Sequence, residues 1–315
     1  MTLALLPTPQ DIARAVTLLR EGLLVAFPTE TVYGLGGDAR SDIAVARIFE
    51  AKNRPGFNPL IVHVPDLATA RTCAYFSPLA LALAARFWPG PLTLVMPLID
   101  GSLSALATAG LRSVAIRVPA HPVALDLLKA AGIPLAAPSA NPSGKISPTT
   151  AAHVAAGLTG RIAAILQGGP CEVGLESTII GLTGPPTLLR SGGLPVEAIE
   201  PLTGPLVRHD NTITGPINAP GQLVSHYAPN ASLRLNALIA EPDEILIGFG
   251  PVTGWVSLSD TGDLTEAAAN LFGALHAADI LAGSTGKLAI APIPEHGLGR
   301  AINDRLKRAS APRHP

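Results

Sequence analysis

Apolar and polar positions follow two rhythms over the first 200 residues. Short apolar runs, LLVAF, NPLIVHV, LTLVMP, SVAIRVP, IPLAAP, AAILQ, STIIGL and TLLR, each bounded by Pro, Gly or charge, predict strands. Between them DIARAVTLLREG, SDIAVARIFEAK, SPLALALAARF and HPVALDLLKAAG carry apolar residues at i, i+3 and i+4 and predict helices. This alternation predicts an α/β layer fold around a largely buried, twisted mixed sheet. In SVAIRVP a period of two puts Val114, Ile116 and Val118 on one face, read as core, and Ser113, Ala115 and Arg117 on the other. Arg117 is then either a solvated residue or part of a cavity wall, where burial demands a partner or a ligand.

The rhythm breaks at residues 202–230, where repeated Gly and Pro carry neither period and predict an interdomain linker. Beyond it, DEILIGFG, GWVSLS and KLAIAPI read as strands, and DLTEAAANLFGALHAADIL and GLGRAINDRLKRA as helices. The expected division is a catalytic domain over 1–203, a linker over 204–229 and a small Rossmann-like α/β domain over 230–315.

Composition narrows the picture without supplying chemistry. A chain of 315 residues, 48% hydrophobic and 14% charged, suits two packed units. A net charge of −1 excludes a global field that would draw the chain onto nucleic acid or an anionic membrane, so a basic site must be local. Two distant cysteines, Cys73 and Cys171, form neither a disulfide framework nor a CxxC metal motif and read as packing residues. The opening MTLALLP lacks a basic leader region, and Arg86, Pro89 and Pro91 interrupt the most apolar segment. A cytoplasmic protein without membrane contact is expected.

The familiar nucleotide and hydrolase motifs are missing. GSTGK at 283–287 is too short for a phosphate loop, and there is no full GxGxxG after a strand, no HExxH and no GxSxG. Three other stretches concentrate polar groups. VAFPTETVYGLGGDA brings Thr29, Glu30, Thr31 and Tyr33 before Gly34, Gly36 and Gly37, which reads either as a loop allowing close backbone approach to a ligand or as a plain glycine turn. EAKNRPGFNPLIVH places Lys52 and Arg54 at a helix stop before Pro55, suited to phosphate or merely to capping, with Asn58 and His63 following. PSANPSGKISPT offers Ser139, Asn141, Ser143 and Ser147 among three prolines, either a ligand wall or a connector capping the next helix.

Taken in order, PTETVYGLG, AKNRPGFNPLIVH, FWPGPLTLV, VAIRVPAHP, PLAAPSANPSGKISPT, GLESTII and LLRSGG resemble the threonylcarbamoyl-AMP synthase family with its YrdC-like catalytic domain. APGQLVSHYAP and APIPEHGLGRAINDRLKRA resemble the longer two-domain members. The resemblance implies a nucleotidyltransferase that makes threonylcarbamoyl-adenylate and pyrophosphate from L-threonine, bicarbonate and ATP with Mg²⁺. A downstream tRNA-modifying transferase complex would consume the product, so tRNA contact is indirect. It assigns Lys52 and Arg54 to catalysis, and Arg54, Asn58, Ser113, Ser139, Asn141, Ser147, Arg190 and Tyr227 to ATP. It assigns Thr31, His63, Arg117, Ala137 and Ser177 to L-threonine, and no metal ligand set. Gln222 to Ser225 depart from one common family form of the linker, GMKYKHYAP, so its cation contacts are not carried over.

Such a reaction needs no protein nucleophile, because the carboxylate of N-carboxy-threonine attacks the α-phosphate, and the protein positions and neutralises charge. Lys52, Arg54 and Arg190 are the expected counterweight to two approaching anions, and Arg117 the fork for the amino-acid carboxylate. A competing reading is an RNA-binding or regulatory protein that uses a positive groove without catalysis. The near-zero net charge and 4% aromatic content count against it.

Overall fold

The computed structural model describes residues 1–56, 58–208 and 226–312. Its first part runs β1 (Leu3–Leu5), α1 (Pro9–Arg20), β2 (Val25–Phe27), β3 (Gly34–Asp38), α2 (Asp42–Lys52), β4 (Ile61–His63), α3 (Leu67–Ala70), α4 (Pro78–Phe87), β5 (Leu92–Pro97) and β6 (Ser113–Arg117). It continues with α5 (Pro122–Ala131), β7 (Leu135–Ala136), α6 (Ala151–Leu158), β8 (Ala164–Leu166), β9 (Thr178–Gly181), β10 (Thr187–Arg190), α7 (Val196–Thr203) and β11 (Val207–Arg208). The second part holds β12 (Ser232–Arg234), β13 (Glu244–Gly248), β14 (Val256–Ser257), α8 (Leu264–Ala282), β15 (Lys287–Ile290) and α9 (Gly299–Ala309).

Local chemistry sets these boundaries. Thr8, Ser41 and Ser77 cap α1, α2 and α4 by accepting from backbone N–H groups three residues on. Pro9, Pro78 and Pro122 stand at first helical positions, where the missing N–H costs nothing. Helix α2 ends because Asn53 turns left-handed at φ 51°, one residue before the Arg54 that the X-Pro rule marks.

The first part forms an eleven-stranded mixed sheet in the order β1-β8-β2-β3-β7-β4-β6-β5-β9-β10-β11. Its largest apolar cluster packs α2 and α4 on one face, including Val114, Ile116 and Val118, which bears out the period-two reading of SVAIRVP. On the other face, α1 and α5 cover one end through Leu19, Phe27, Leu127 and Leu135. Towards β9 that face carries only a small cluster, Ile61, Val95, Ala115 and Ile179. This gap in helix cover is where a cavity forms.

Two expectations need correction. The glycines after PTETVY are not a loop but strand β3, antiparallel to β2. A Cβ at Gly36 would lie 2.9 Å from the Phe27 ring, so strand-to-ring packing demands that glycine, not ligand approach. The start of the expected linker is likewise structured: β11 pairs with β10 as the last strand of the large sheet. Residues 209–225, including Gln222 to Ser225, lie outside the described residues.

The second part is a four-stranded, wholly parallel sheet, β12-β15-β13-β14, with α8 and α9 against it. Its apolar core also takes in Val32, Ile146 and Leu175 of the first part, so burial is continuous across the two. His153 of α6 and His276 of α8 stack at 4.0 Å between ring centroids, and His276 bonds the Ser147 carbonyl at 3.2 Å. Both cysteines are buried, as packing residues should be. Among the described residues no helix is long and apolar enough to cross a membrane.

Candidate active site

The uncovered stretch of sheet, the turn before β3, the loop after β7 and the segment beginning at His226 enclose a cavity of about 50 Å³. From β4, β6 and β9 the same face sends Ile61, His63, Arg117 and the flanking Ser177 into it, since β4 and β6 pair His63 with Arg117 in register. Thr31, Ser139, Arg54, Arg190, Glu176, His226 and Tyr227 add polar groups to the wall, and Gly34 and Ala137 also line it.

Arg190 reaches the cavity through an irregularity. Thr187 pairs with Gly181 and Leu188 with Ile180, but Arg190 pairs with Ile179, so the register shifts at Leu189. Strict alternation would face Arg190 towards the core beside Leu188; the bulge re-aims it onto the Ile179 face. There its Nε and Nη2 donate to the Ser177 carbonyl at 3.1 and 2.9 Å. Gly192 keeps the next turn close: a Cβ there would lie 2.2 Å from the Glu176 carbonyl oxygen.

Arg117 is wholly enclosed. It donates to Thr31 Oγ1 at 2.8 Å and to the Gly90 carbonyl at 3.1 Å, and its Nη2 lies 2.7 Å from Glu30 Oε1. The Thr31 hydroxyl is in turn 2.8 Å from that of Thr29. Much of the Arg117 fork is therefore committed within the protein, and Arg117 faces the cavity as a partly neutralised wall. His63 beside it is pushed down to about 3 by burial and by the Arg117 charge, so its imidazole is neutral at pH 7.

Arg54 is the more available cation. It donates only long bonds to the Asn58 and Pro59 carbonyls, at 3.4 and 3.3 Å, and its Nε has no hydrogen-bond partner among the described residues. Burial, with Arg190 nearby, lowers it to about 10, which leaves it charged at neutral pH. His226 is held far below its ordinary value by burial and by Arg54, Lys52, Arg305 and Arg190 around it. The cavity is therefore rich in positive charge, with Glu176 the carboxylate among its lining residues.

Five expected residues do not line the cavity. Lys52 is 1% exposed, and its ammonium donates to the carbonyl oxygens of Ser139, at 2.5 Å, and Asn141. Burial and the neighbouring Arg54 push its amine well below its ordinary value. Asn141 donates to the Pro142 and Lys145 carbonyls at 2.9 and 2.8 Å, bracing the same loop. Ser147 donates to Glu176 Oε1 at 2.5 Å. Asn58 is fully buried with neither amide atom hydrogen-bonded among the described residues, and Ser113 opens β6 beyond Ala115. Lys145 donates to Asn230 Oδ1 at 2.6 Å.

Sequence reasoning left Thr29, Ile61, Glu176 and His226 outside the site, and overlooked Arg305. Two-residue spacing from His63 is a signal for Ile61. For Arg305 the signal is helical: Ile302, Arg305, Leu306 and Ala309 share the buried stripe of α9, a cation at an apolar position.

These features define an α/β protein with an enclosed cationic cavity, suited to an anionic small molecule. The chain belongs to the threonylcarbamoyl-AMP synthase family. One family model, described as "Telomere recombination" and named for Sua5, YciO and YrdC, matches residues 17–192. A second, "Threonylcarbamoyl-AMP synthase, C-terminal domain", matches 194–311. Threonylcarbamoyl-AMP synthase of Bacillus subtilis is 43% identical over 96% of this chain and 94% of its own. That of Pyrococcus abyssi is 44% identical over 94% and 93%. A crystal structure of Pyrococcus abyssi Sua5 complexed with L-threonine superposes with a TM-score of 0.90 at 40% identity, covering 98% of this chain and 97% of that one.

Proposed function

We propose that this chain is an L-threonylcarbamoyladenylate synthase, a nucleotidyltransferase that forms threonylcarbamoyl-AMP and pyrophosphate from L-threonine, bicarbonate and ATP. The product then supplies a separate tRNA-modifying transferase. The observation that carries the reading is Arg54: a cation on the cavity wall, its Nε without a hydrogen-bond partner and no carboxylate within ion-pair distance among the described residues. Such a group invites an anion.

Threonine's amine and bicarbonate give N-carboxy-threonine and water. A carboxylate oxygen of that carbamate attacks the α-phosphorus, the bond from α-phosphorus to the bridging oxygen breaks, and pyrophosphate leaves with its electron pair. Arg54 and Arg190 hold the phosphates, with Ser139 and Tyr227 on the nucleotide side. Thr31, His63, Arg117, Ala137 and Ser177 frame the amino acid. The neutral His63 imidazole accepts or donates a hydrogen bond without adding charge. Lys52, Asn141, Ser147, Asn58 and Ser113 act one step back, holding the loops and strand on which the lining residues sit.

Magnesium enters as part of the substrate. Among the described residues no three His, Cys, Asp or Glu side chains gather to hold a metal, and magnesium bound with ATP would neutralise part of the triphosphate charge. Residues 1–203 are proposed as the catalytic domain, 204–229 as the connector and 230–315 as the C-terminal domain.

The test is incubation with ATP, Mg²⁺ and bicarbonate plus each amino acid in turn, following pyrophosphate and the adenylate by mass. Threonine- and bicarbonate-dependent release is expected. Pyrophosphate release that persists without threonine would sink the assignment.

A further inference from the structure

Glu176 presents a difficulty for an anion site. It lines the cavity, is 6% exposed, and would face a triphosphate with a negative charge. A buried carboxylate left uncompensated would also claim Arg190 for itself.

The compensation comes from the far end of the chain. Arg305, on α9, is wholly buried and places Nε 2.7 Å from Glu176 Oε2. Its Nη2 donates to the Ser191 carbonyl at 2.9 Å, so the guanidinium ties the segment before β9 to the residue after β10. The Ser147 hydroxyl takes the other Glu176 oxygen. Asp304 lies 2.6 Å from Arg305 Nη1 but is shared with Arg308 at 3.0 Å. The guanidinium also lies over the Tyr227 ring, 5.1 Å from its centroid. Burial alone would raise the Glu176 carboxyl, yet Arg305, Arg190 and Ser147 bring it below its ordinary value, so it is charged.

We propose that Arg305 is a positioning residue of the active site: it neutralises Glu176 and draws it aside, so that the carboxylate does not oppose a polyphosphate approaching Arg54. The role of the C-terminal helix is therefore electrostatic. It delivers one cation that makes an otherwise mixed cavity accept an anion. This rests on the nucleotide reading given above.

The test is ATP binding by titration calorimetry on the full chain. Arg305→Met is expected to weaken ATP by about tenfold or more while L-threonine affinity stays within about threefold, because an exposed carboxylate repels the triphosphate. Glu176→Gln added to Arg305→Met removes that charge and is expected to restore ATP affinity to within about threefold of the native chain. A double variant as weak as Arg305→Met, or unchanged ATP binding in Arg305→Met, overturns the role. Arg305→Lys covers the case in which methionine at this position fails to fold. It keeps the charge and should bind ATP within about threefold of native, and a larger loss in a chain that melts like the native one also overturns the role. If the native chain itself binds no ATP, the nucleotide reading fails and this role falls with it.

Discussion

The Lys52 ammonium donates to the Ser139 carbonyl oxygen at 2.5 Å, and through a second bond to Asn141 it ties the end of α2 to the loop that walls the cavity. A lysine read from sequence as a phosphate partner thus works on the protein itself. Changing it to Met leaves two carbonyls without their donor and frees the loop. Each buried carbonyl left without its donor costs about 1–3 kcal/mol, so kcat/KM is expected to fall by about 100-fold or more. Steady-state pyrophosphate release measures this, and turnover within threefold of native would show that the tie does not position the site.

His63 makes stability depend on pH. Its folded value near 3 lies below the ordinary 6.5, so as pH falls the unfolded chain takes up this proton first. The stabilisation is complete above pH 6.5 and is lost progressively as pH drops towards 3. From pH 6.5 to 5 that amounts to about 2 kcal/mol. His226, His153 and His276 are lowered too and add the same sign, so the comparison is with His63→Gln. Denaturant melts at both pH values should show a shallower loss in the variant, and parallel losses would remove His63 from the account.

Arg190 holds the Ser177 carbonyl through a two-pronged guanidinium contact that lysine cannot copy. Arg190→Lys is expected to keep the fold and charge yet raise KM for ATP by about tenfold, with a further fall in kcat. Initial rates across an ATP series decide it. An unchanged KM would mean that point charge alone suffices.

Tyr227 is fully buried at φ 61°, a conformation that costs a non-glycine residue about 1–3 kcal/mol. With His226 it lines a cavity of about 50 Å³, whereas nucleotide-sized ligands need roughly 300 Å³ or more. The 226–227 segment must therefore move for ATP to enter. Tyr227→Ala is expected to speed ATP dissociation by about tenfold or more, read by stopped-flow with a fluorescent ATP analogue. Identical off-rates would mean that this ring is no barrier.

How far the sequence spoke for itself varies by residue. The period of two in SVAIRVP separated the core face of Val114 and Ile116 from the cavity face of Arg117, because strand geometry is local. The helices in SDIAVARIFEAK and SPLALALAARF were legible for the same reason. That Lys52 bonds the cavity loop and does not line the cavity could not be read from sequence, because side-chain chemistry names what it can bind while the loop that reaches it comes from 87 residues away. Gly36 of β3 looked like part of a ligand loop because Phe27, which it accommodates, is felt only across the strand pair, whereas Gly34 does line the cavity. Arg305 was invisible to motif reasoning: its partner Glu176 is 129 residues distant, and a charged terminal helix ordinarily reads as solvated.

The shifted register in β10 has a consequence of its own. Leu189 is one residue more than the ladder needs, and the bulge absorbs it so that Leu188 still opposes Ile180 and Arg190 still opposes Ile179 on the cavity face. Deleting Leu189 would give a regular ladder and leave Arg190 on the Ile179 face, losing only the apolar contact that Leu189 makes there.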